Sequence, residues 1–468
     1  MQTLHRTGRR RLVAGSLLVW CAAMLVSCAA LPDLNGLQRV SASDPAGVSP
    51  TVVTPRGALP PQRADSLLSR RLRNTSTNLK ELVALEEAAT GAPLIAGNKV
   101  TLLFDGPETL TSMMDAISNA RDHIHLETYI FDQDELGIKF ANLLIERRRA
   151  GVQVSVIYDS VGAIGTPAEF FERMRSAGID LIEFNPVNPL RSYAPWRINN
   201  RNHRKILVVD GKVGFTGGVN IAGDYAASSM FRSGGEANRE LGWRDTHIRL
   251  EGPAVAALQL LFLDTWVGNS DQDLPDRRYF PRLEQVGHDL VRVLGSKPGG
   301  NHEIYKAYFL ALAQARKSAY MTVAYFAPDQ QMLDAITTAA RRGVDVHMVF
   351  PGMSDNALIF YAGRSYYQEL LDAGVRISEF QESVLHAKTA VIDGLWSTVG
   401  SANMDIRSFL HNTEINVIVV GEAFGKRMEA AFSEDVRLSL PVTSQAWSER
   451  PWTSRLREWF ARQFAYFL

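Results

Sequence analysis

One spaced pattern of residue types occurs twice in this chain, and it limits the possible folds more than any other feature of the sequence. The first copy is Asn202-His203-Arg204-Lys205-Ile206-Leu207-Val208-Val209-Asp210, closing with Gly217-Gly218-Val219-Asn220. The second is Leu385-His386-Ala387-Lys388-Thr389-Ala390-Val391-Ile392-Asp393, closing with Gly400-Ser401-Ala402-Asn403. In both, Lys follows His by two positions, Asp follows Lys by five, and Gly follows Asp by seven. A single His-x-Lys arises by chance in most chains of this length. Two copies of the whole pattern imply two related halves, each presenting the same strand.

The aliphatic and β-branched run after each His-x-Lys, ended by Asp-Gly, reads as a strand entering a turn. Residues two apart share a strand face, so His203 and Lys205 are expected to point the same way, as are His386 and Lys388. An ammonium beside an imidazole repels a metal cation and suits an anion such as phosphate, so neither a metal nor a cofactor is expected. Two such strands brought together frame one phosphate between two imidazoles and two lysines.

Phosphate diesters hydrolyse very slowly unaided, and a covalent phospho-enzyme splits the displacement into two easier steps. With an unperturbed pKa of about 6.5, one imidazole serves as neutral nucleophile while its twin serves as protonated acid. His203 is assigned as nucleophile and His386 as acid and then base, although the near-symmetric motif leaves the roles exchangeable. Lys205 and Lys388 would stabilise charge on the non-bridging oxygens, with Asn220 and Asn403 donating further hydrogen bonds. Asp210 and Asp393 complete the catalytic set as orienting groups. Their odd offset from His sends them to the opposite strand face unless the turn redirects them.

The duplicated pattern resembles the His-x-Lys-(x)4-Asp signature of the phospholipase D superfamily. Within it, the second half is most similar to bacterial cardiolipin synthases, through Pro351-Gly352-Met353-Ser354-Asp355, Tyr361-Ala362-Gly363-Arg364-Ser365-Tyr366-Tyr367, and Asp405-x-Arg407-Ser408-Phe409 leading to Asn412-x-Glu414. The first half adds Trp243-Arg244-Asp245-Thr246-His247 and Glu251-Gly252-Pro253. The resemblance covers roughly Val100 to Arg437. It implies an α/β fold of two pseudo-symmetric α/β/α sandwich halves sharing one cleft, a His nucleophile, a His acid, no metal, and phosphatidyl transfer between phospholipids such as phosphatidylglycerol. It also implies that Asp245 and Glu414 each hydrogen-bond the catalytic imidazole of their own half, fixing its tautomer.

The alternation of strand and helix supports the same class from the residues themselves. His123–Phe131 aligns with Ala319–Phe326, Ala150-Gly151-Val152 with Arg342-Gly343-Val344, and Ala177-Gly178-Ile179 with Ala373-Gly374-Val375. Between Phe184 and His203 lie 13 residues more than between Phe380 and His386. That insert, with Tyr193, Trp196 and Arg197, either grips lipid at the pocket mouth or forms a surface loop with a buried Trp. Ala226 to Gly242 reads as a lid that excludes water or as a plain loop. Tyr129 and Tyr325 fit either the pocket or the core, while His123, His125, His247, His347 and His411, lacking the Lys partner, are assigned structural roles.

Residues 1–27 read as an export leader, with Arg6, Arg9, Arg10 and Arg11 before an apolar run, Leu12 to Val26, of 15 residues. A membrane span needs about 20. Leu25-Val26-Ser27-Cys28 resembles a lipoprotein box, making Cys28 the lipidation site and placing the chain in the cell envelope, anchored to membrane and facing the periplasm. The other Cys, Cys21, is inside the leader, so a mature chain holds no disulfide. Residues 28–98 are expected to be a tether followed by a helical segment, 99–283 and 284–440 the two domains, and 441–468 an amphipathic tail. In that tail Leu456, Trp459, Phe460, Phe464 and Phe467 share one side, which suits either a bilayer interface or the protein itself.

Fifty basic residues offset fifty acidic ones, so no global field gathers polyanions and no nucleic-acid partner is expected. The chain reads as a membrane-associated monomer acting on phospholipid. Hydrolysis with water as acceptor, a nuclease and a non-catalytic lipid-binding relic are the other readings; two intact imidazole motifs speak against the relic.

Overall fold

The computed structural model describes residues 30–34, 36, 50–71, 79–193, 197, 199–227 and 242–468. The chain divides into a short N-terminal unit ending at Asp33 and a body, Leu34–Leu468. The leader with Cys28, the stretch 37–49, Trp196 and most of 226–242 lie outside the described residues.

The body is a pair of α/β halves whose strands join in one sheet. In the first half the order across the sheet is Asp180–Phe184, Gln153–Asp159, His123–Thr128, Ile206–Val209, Val213–Gly217, His247–Glu251 and Leu94–Leu103. The second half repeats it with Arg376–Phe380, Asp345–Pro351, Ser318–Val323, Lys388–Ile392, Trp396–Gly400, Asn412–Val420 and Asp289–Ser296. Leu94–Leu103 pairs antiparallel with Asp289–Ser296, and this seam joins the halves edge to edge.

Both faces of this sheet are covered, so the polar residues that alternate along some strands, such as His123, His125 and Glu127, are buried together with the apolar ones. Along Ile206–Val209, Leu207 and Val209 pack among Leu110, Phe140, Leu144 and Phe171 on one face. Ile206 and Val208 pack with Ile248, Val417, Phe424 and Met428 on the other. That second cluster draws on both halves, so the core runs continuously under the seam. Each buried aliphatic side chain contributes about 1.5–3 kcal/mol, and no half buries this face alone.

The segment expected to be a tether is partly folded. Val52–Thr54 forms a hairpin with Gly57–Ala58 and pairs parallel with Leu94–Ile95. The helix Leu79–Thr90 buries Glu86 against Arg292, and the Glu86 carboxylate accepts from Trp396 Nε1 at 2.7 Å. Burial pushes Glu86 up to about 7, against the pull of Arg292. The strand Leu94–Leu103 begins ahead of residue 99 and Ser439–Val442 runs past residue 440, so two of the four expected boundaries fall inside strands.

Candidate active site

Each signature run is built on a hairpin. Asp210 and Gly211, and likewise Asp393 and Gly394, take positive φ (53° and 62°, 54° and 67°), the twist a tight hairpin turn requires. The Asp210 carboxylate accepts from the backbone N–H of Arg121, Asp122 and His123 at 2.8–3.1 Å. Asp393 does the same for Arg316, Lys317 and Ser318. This corrects the expectation that these acids orient the site: they pin the turn to the start of the neighbouring strand, and neither lines the cleft.

The catalytic segments also depart from the expected strand geometry, because His203 and His386 precede the strands Ile206–Val209 and Lys388–Ile392. Their backbones pair across the molecule instead. Arg201–Asn202 runs parallel to Asn412–Thr413, and His203 N donates to Thr413 O at 2.9 Å. His386 N donates to Arg244 O at 2.7 Å, and Arg244 N to Val384 O at 2.9 Å.

This crossing decides which acid serves which imidazole. His203 Nδ1 lies 3.0 Å from both carboxylate oxygens of Glu414. His386 Nδ1 lies 2.7 Å from Asp245 Oδ2. Each carboxylate therefore holds the histidine of the opposite half, which corrects the expectation of pairing within halves. With Nδ1 bound to a carboxylate, the neutral ring carries its proton there and leaves Nε2 free as a nucleophile or base.

Both histidines line a single cleft of 350 Å³, together with Tyr129, Asn220, Trp243, Tyr325, Asn403 and Arg407 among others. Tyr129 meets the His203 ring edge-on at 5.1 Å, and Trp243 and Tyr325 flank His386 at 5.4 and 5.9 Å. Lys205 Nζ folds back to donate to the His203 carbonyl at 2.8 Å, and Lys388 Nζ donates to that of His386. Asn220 is engaged on both ends of its amide: Oδ1 accepts from Ile130 N at 3.2 Å and Nδ2 donates to the Tyr225 hydroxyl at 3.1 Å. Asn403 is buried on the cleft wall, its backbone N–H bonded to Ser408 Oγ at 3.2 Å.

Burial dominates the electrostatics. It lowers His203 to about 4, against Glu414 and helped by Lys205 and Lys388. It holds His386 well below the usual range, with Lys388, Lys205 and His203 adding to the effect. Burial also lowers Lys205 to about 7 and Lys388 to about 8. Burial alone would raise Glu414, but His203, Lys205 and Ser401 outweigh it and keep it near 2. Asp245 goes the other way, raised by burial against Lys388. The resting cleft thus presents two neutral imidazoles, with two weakened ammonium groups buried behind them, a setting that gains from a bound anion.

Sequence reasoning gave no role to several contributing residues, although Ser401, Asn412 and Arg244 stand within the quoted motifs. Ser401 Oγ donates to Glu414, Asn412 Nδ2 donates to it at 3.1 Å, and the Tyr225 hydroxyl sits 3.1 Å from His386 Nδ1. Arg244 crosses the interface to clamp Asp435, with Nε–Oδ1 at 2.7 Å and Nη2–Oδ2 at 3.1 Å. Removing one partner of a buried pair of this kind costs about 3–5 kcal/mol.

A family model described as cardiolipin synthase, PLD-like domain, matches residues 113–244 and 308–436, one segment in each half. A cardiolipin synthase of Geobacillus thermodenitrificans is 36% identical over 374 residues, covering 79% of this chain and 72% of that protein. One from Listeria monocytogenes serotype 4a is 36% identical over 388 residues, covering 82% and 78%. Among solved structures, the phosphatidylserine synthase of Haemophilus influenzae aligns with a TM-score of 0.64 over 81% of this chain and 96% of its own, at 13% identity, a likeness of fold.

Proposed function

From the premise that this chain belongs to the cardiolipin synthase, phospholipase D-like family, we propose that it transfers a phosphatidyl group from one phosphatidylglycerol to the terminal hydroxyl of another, releasing glycerol and forming cardiolipin. The observation that carries the reading is the crossed pair of carboxylate-bound imidazoles on the walls of one cleft. Binding alone needs no such pair; a two-step displacement needs both.

In the first step His203 Nε2 attacks phosphorus, the bond from phosphorus to the glycerol oxygen breaks, and His386 gives that oxygen its proton. The bound diester anion favours that proton, since it counters the field of the two lysines. In the second step the incoming hydroxyl gives its proton to His386 and attacks phosphorus, the phosphorus–nitrogen bond breaks, and His203 is restored. Lys205 and Lys388 hold positive charge against the non-bridging oxygens. Water as acceptor would make the same site a phospholipase D. The proposal includes work at the cell envelope by a membrane-associated monomer, with Cys28 as its lipid anchor; the support for the anchor is the leader sequence.

Incubating the purified protein with phosphatidylglycerol, and separately with plasmid DNA, tests this. Cardiolipin with release of glycerol is expected. Phosphatidic acid as the sole product would make the chain a hydrolase, and DNA cleavage without lipid turnover would overturn the proposal.

A further inference from the structure

The C-terminal helix Trp452–Arg462 is mounted inside out. Ser454, Glu458, Ala461 and Ala465 recur at helical spacing, and this stripe of small and acidic side chains faces the body. Glu458 is 2% exposed and bonds Arg450 Nε at 3.0 Å, while Ala461 and Ala465 are buried. The opposite stripe is the apolar one. Trp452 is 73% exposed, Trp459 61%, Phe460 54%, and Leu456, Phe464 and Phe467 are exposed beside them. A helix of a free-standing soluble surface would be turned the other way. A contiguous aromatic face of this kind marks a contact that the described residues do not supply.

Position and charge indicate what that is. The helix packs on Ala357–Arg364, next to the loop whose Asp355 and Asn356 line the cleft. The chain then turns through Ala465–Phe467, Arg407 Nη1 donates to Phe467 O at 3.3 Å, and Phe467 and Leu468 themselves form part of the cleft wall. The aromatic face therefore runs on into the mouth of the catalytic cleft. At its edge Arg457 donates to the Tyr361 hydroxyl at 3.0 Å and Arg455 to the Ser448 carbonyl, so each guanidinium meets a neutral group there. Trp and Phe with arginine at the margin suit the headgroup layer of an anionic bilayer.

We propose that this face is the protein's docking surface on an anionic phospholipid bilayer, and that docking seats the cleft mouth where the substrate lipids lie. The choice of partner rests on the phospholipid reading of the cleft. In that layer the Trp and Phe side chains lie at the boundary of headgroups and acyl chains, and the C-terminal residues form the threshold a headgroup crosses to reach His203 and His386.

The test uses the full chain and its Trp452→Glu/Trp459→Glu variant, with neither position in the cleft wall. Vesicles of phosphatidylglycerol and phosphatidylcholine should slow amide exchange across residues 444–468 in the parent and not in the variant. Turnover of vesicle phosphatidylglycerol should fall about tenfold or more in the variant, against about twofold or less for short-chain phosphatidylglycerol below its micelle concentration. Protection without turnover in either chain would keep the docking surface and reject the transfer reading. Unchanged exchange in the parent on vesicles, or equal loss on both substrates, would sink the docking surface. So would protection that rises with protein concentration in the absence of lipid, which would point to a second copy.

Discussion

The His203 half-site and the His386 half-site occupy matching places in the two halves, yet they hold their imidazoles by different means. Glu414 sits two residues ahead of Asn416, which pairs with Gly400, and Asp245 two ahead of His247, which pairs with Gly217. Glu414 spans His203 with both oxygens and is itself fixed by Ser401 and Asn412. Asp245 is one methylene shorter, lies hard against Gly218, and shares His386 Nδ1 with the Tyr225 hydroxyl. Where the second half carries Ser401, the first carries Gly218, and a Cβ there would collide with the Asp245 carboxylate. One acid is therefore a committed anion held near 2, while the other is raised by burial. A strongly held anion behind His203 favours positive charge on the ring as the phosphorus–nitrogen bond forms, which supports His203 as the nucleophile.

The comparison breaks first at the histidines. His203→Ala and His386→Ala should each lower turnover by about 10⁴-fold or more, since each removes a partner of a concerted unit. Rapid quench with substrate labelled in the phosphatidyl group should show phospho-enzyme in His386→Ala and none in His203→Ala. The reverse pattern would exchange the two roles.

The crossing makes the next prediction specific. Glu414→Gln should mimic loss of His203, with a decrease of about 10²–10⁴-fold in kcat and little phospho-enzyme, because the wrong tautomer presents N–H to phosphorus. Asp245→Asn should mimic loss of His386 and accumulate the intermediate. If each acid served its own half, these two phenotypes would be exchanged in the same labelling assay.

Gly218→Ala should cost about 10–100-fold in kcat by displacing Asp245, whereas Ser401→Gly should cost about tenfold, the value of one charge-assisted hydrogen bond of about 1.5 kcal/mol. Equal effects would mean that the two carboxylates are supported alike. Smallest is the pH response. Lys205 and Lys388 lose their charge as pH rises through about 7 and 8, and His203 becomes protonated as pH falls through about 4. The kcat/KM profile should thus fall on the acid side near pH 4 and decline toward alkaline pH, because His386, itself held well below the usual range, must take up a proton. The decline should steepen from about pH 7 as the lysines lose theirs. Arg keeps its charge over this range, so Lys205→Arg should move the alkaline limb upward in a pH–rate titration.

Local signals made much of this legible. The repeated run, its apolar strand and its Asp-Gly turn are all short-range features, and the repeat exposed two halves and one shared cleft. The role of Asp210 was missed because parity along a strand says nothing about a carboxylate that bends back onto the N–H groups of residues 121–123. The crossing was missed for a different reason. It depends on Arg201–Asn202 finding Asn412–Thr413 and Arg244 finding Leu385, pairings with no spacing pattern to reveal them. Ser401 and Gly218 stood in plain view within the motif, but their difference carries meaning only once Glu414 and Asp245 are known to lie above them. The tail shows the same limit: the stripe of Leu456, Trp459 and Phe460 was visible, and which side faced inward was not.

The seam between Leu94–Leu103 and Asp289–Ser296 has its own bearing on how substrates come and go. Strand pairing passes from one half to the next, so both walls of the cleft are built on one sheet. The bore of the cleft is thus set by one continuous sheet, and its rim by the loop at Asp355–Asn356 and the lip at Phe467–Leu468.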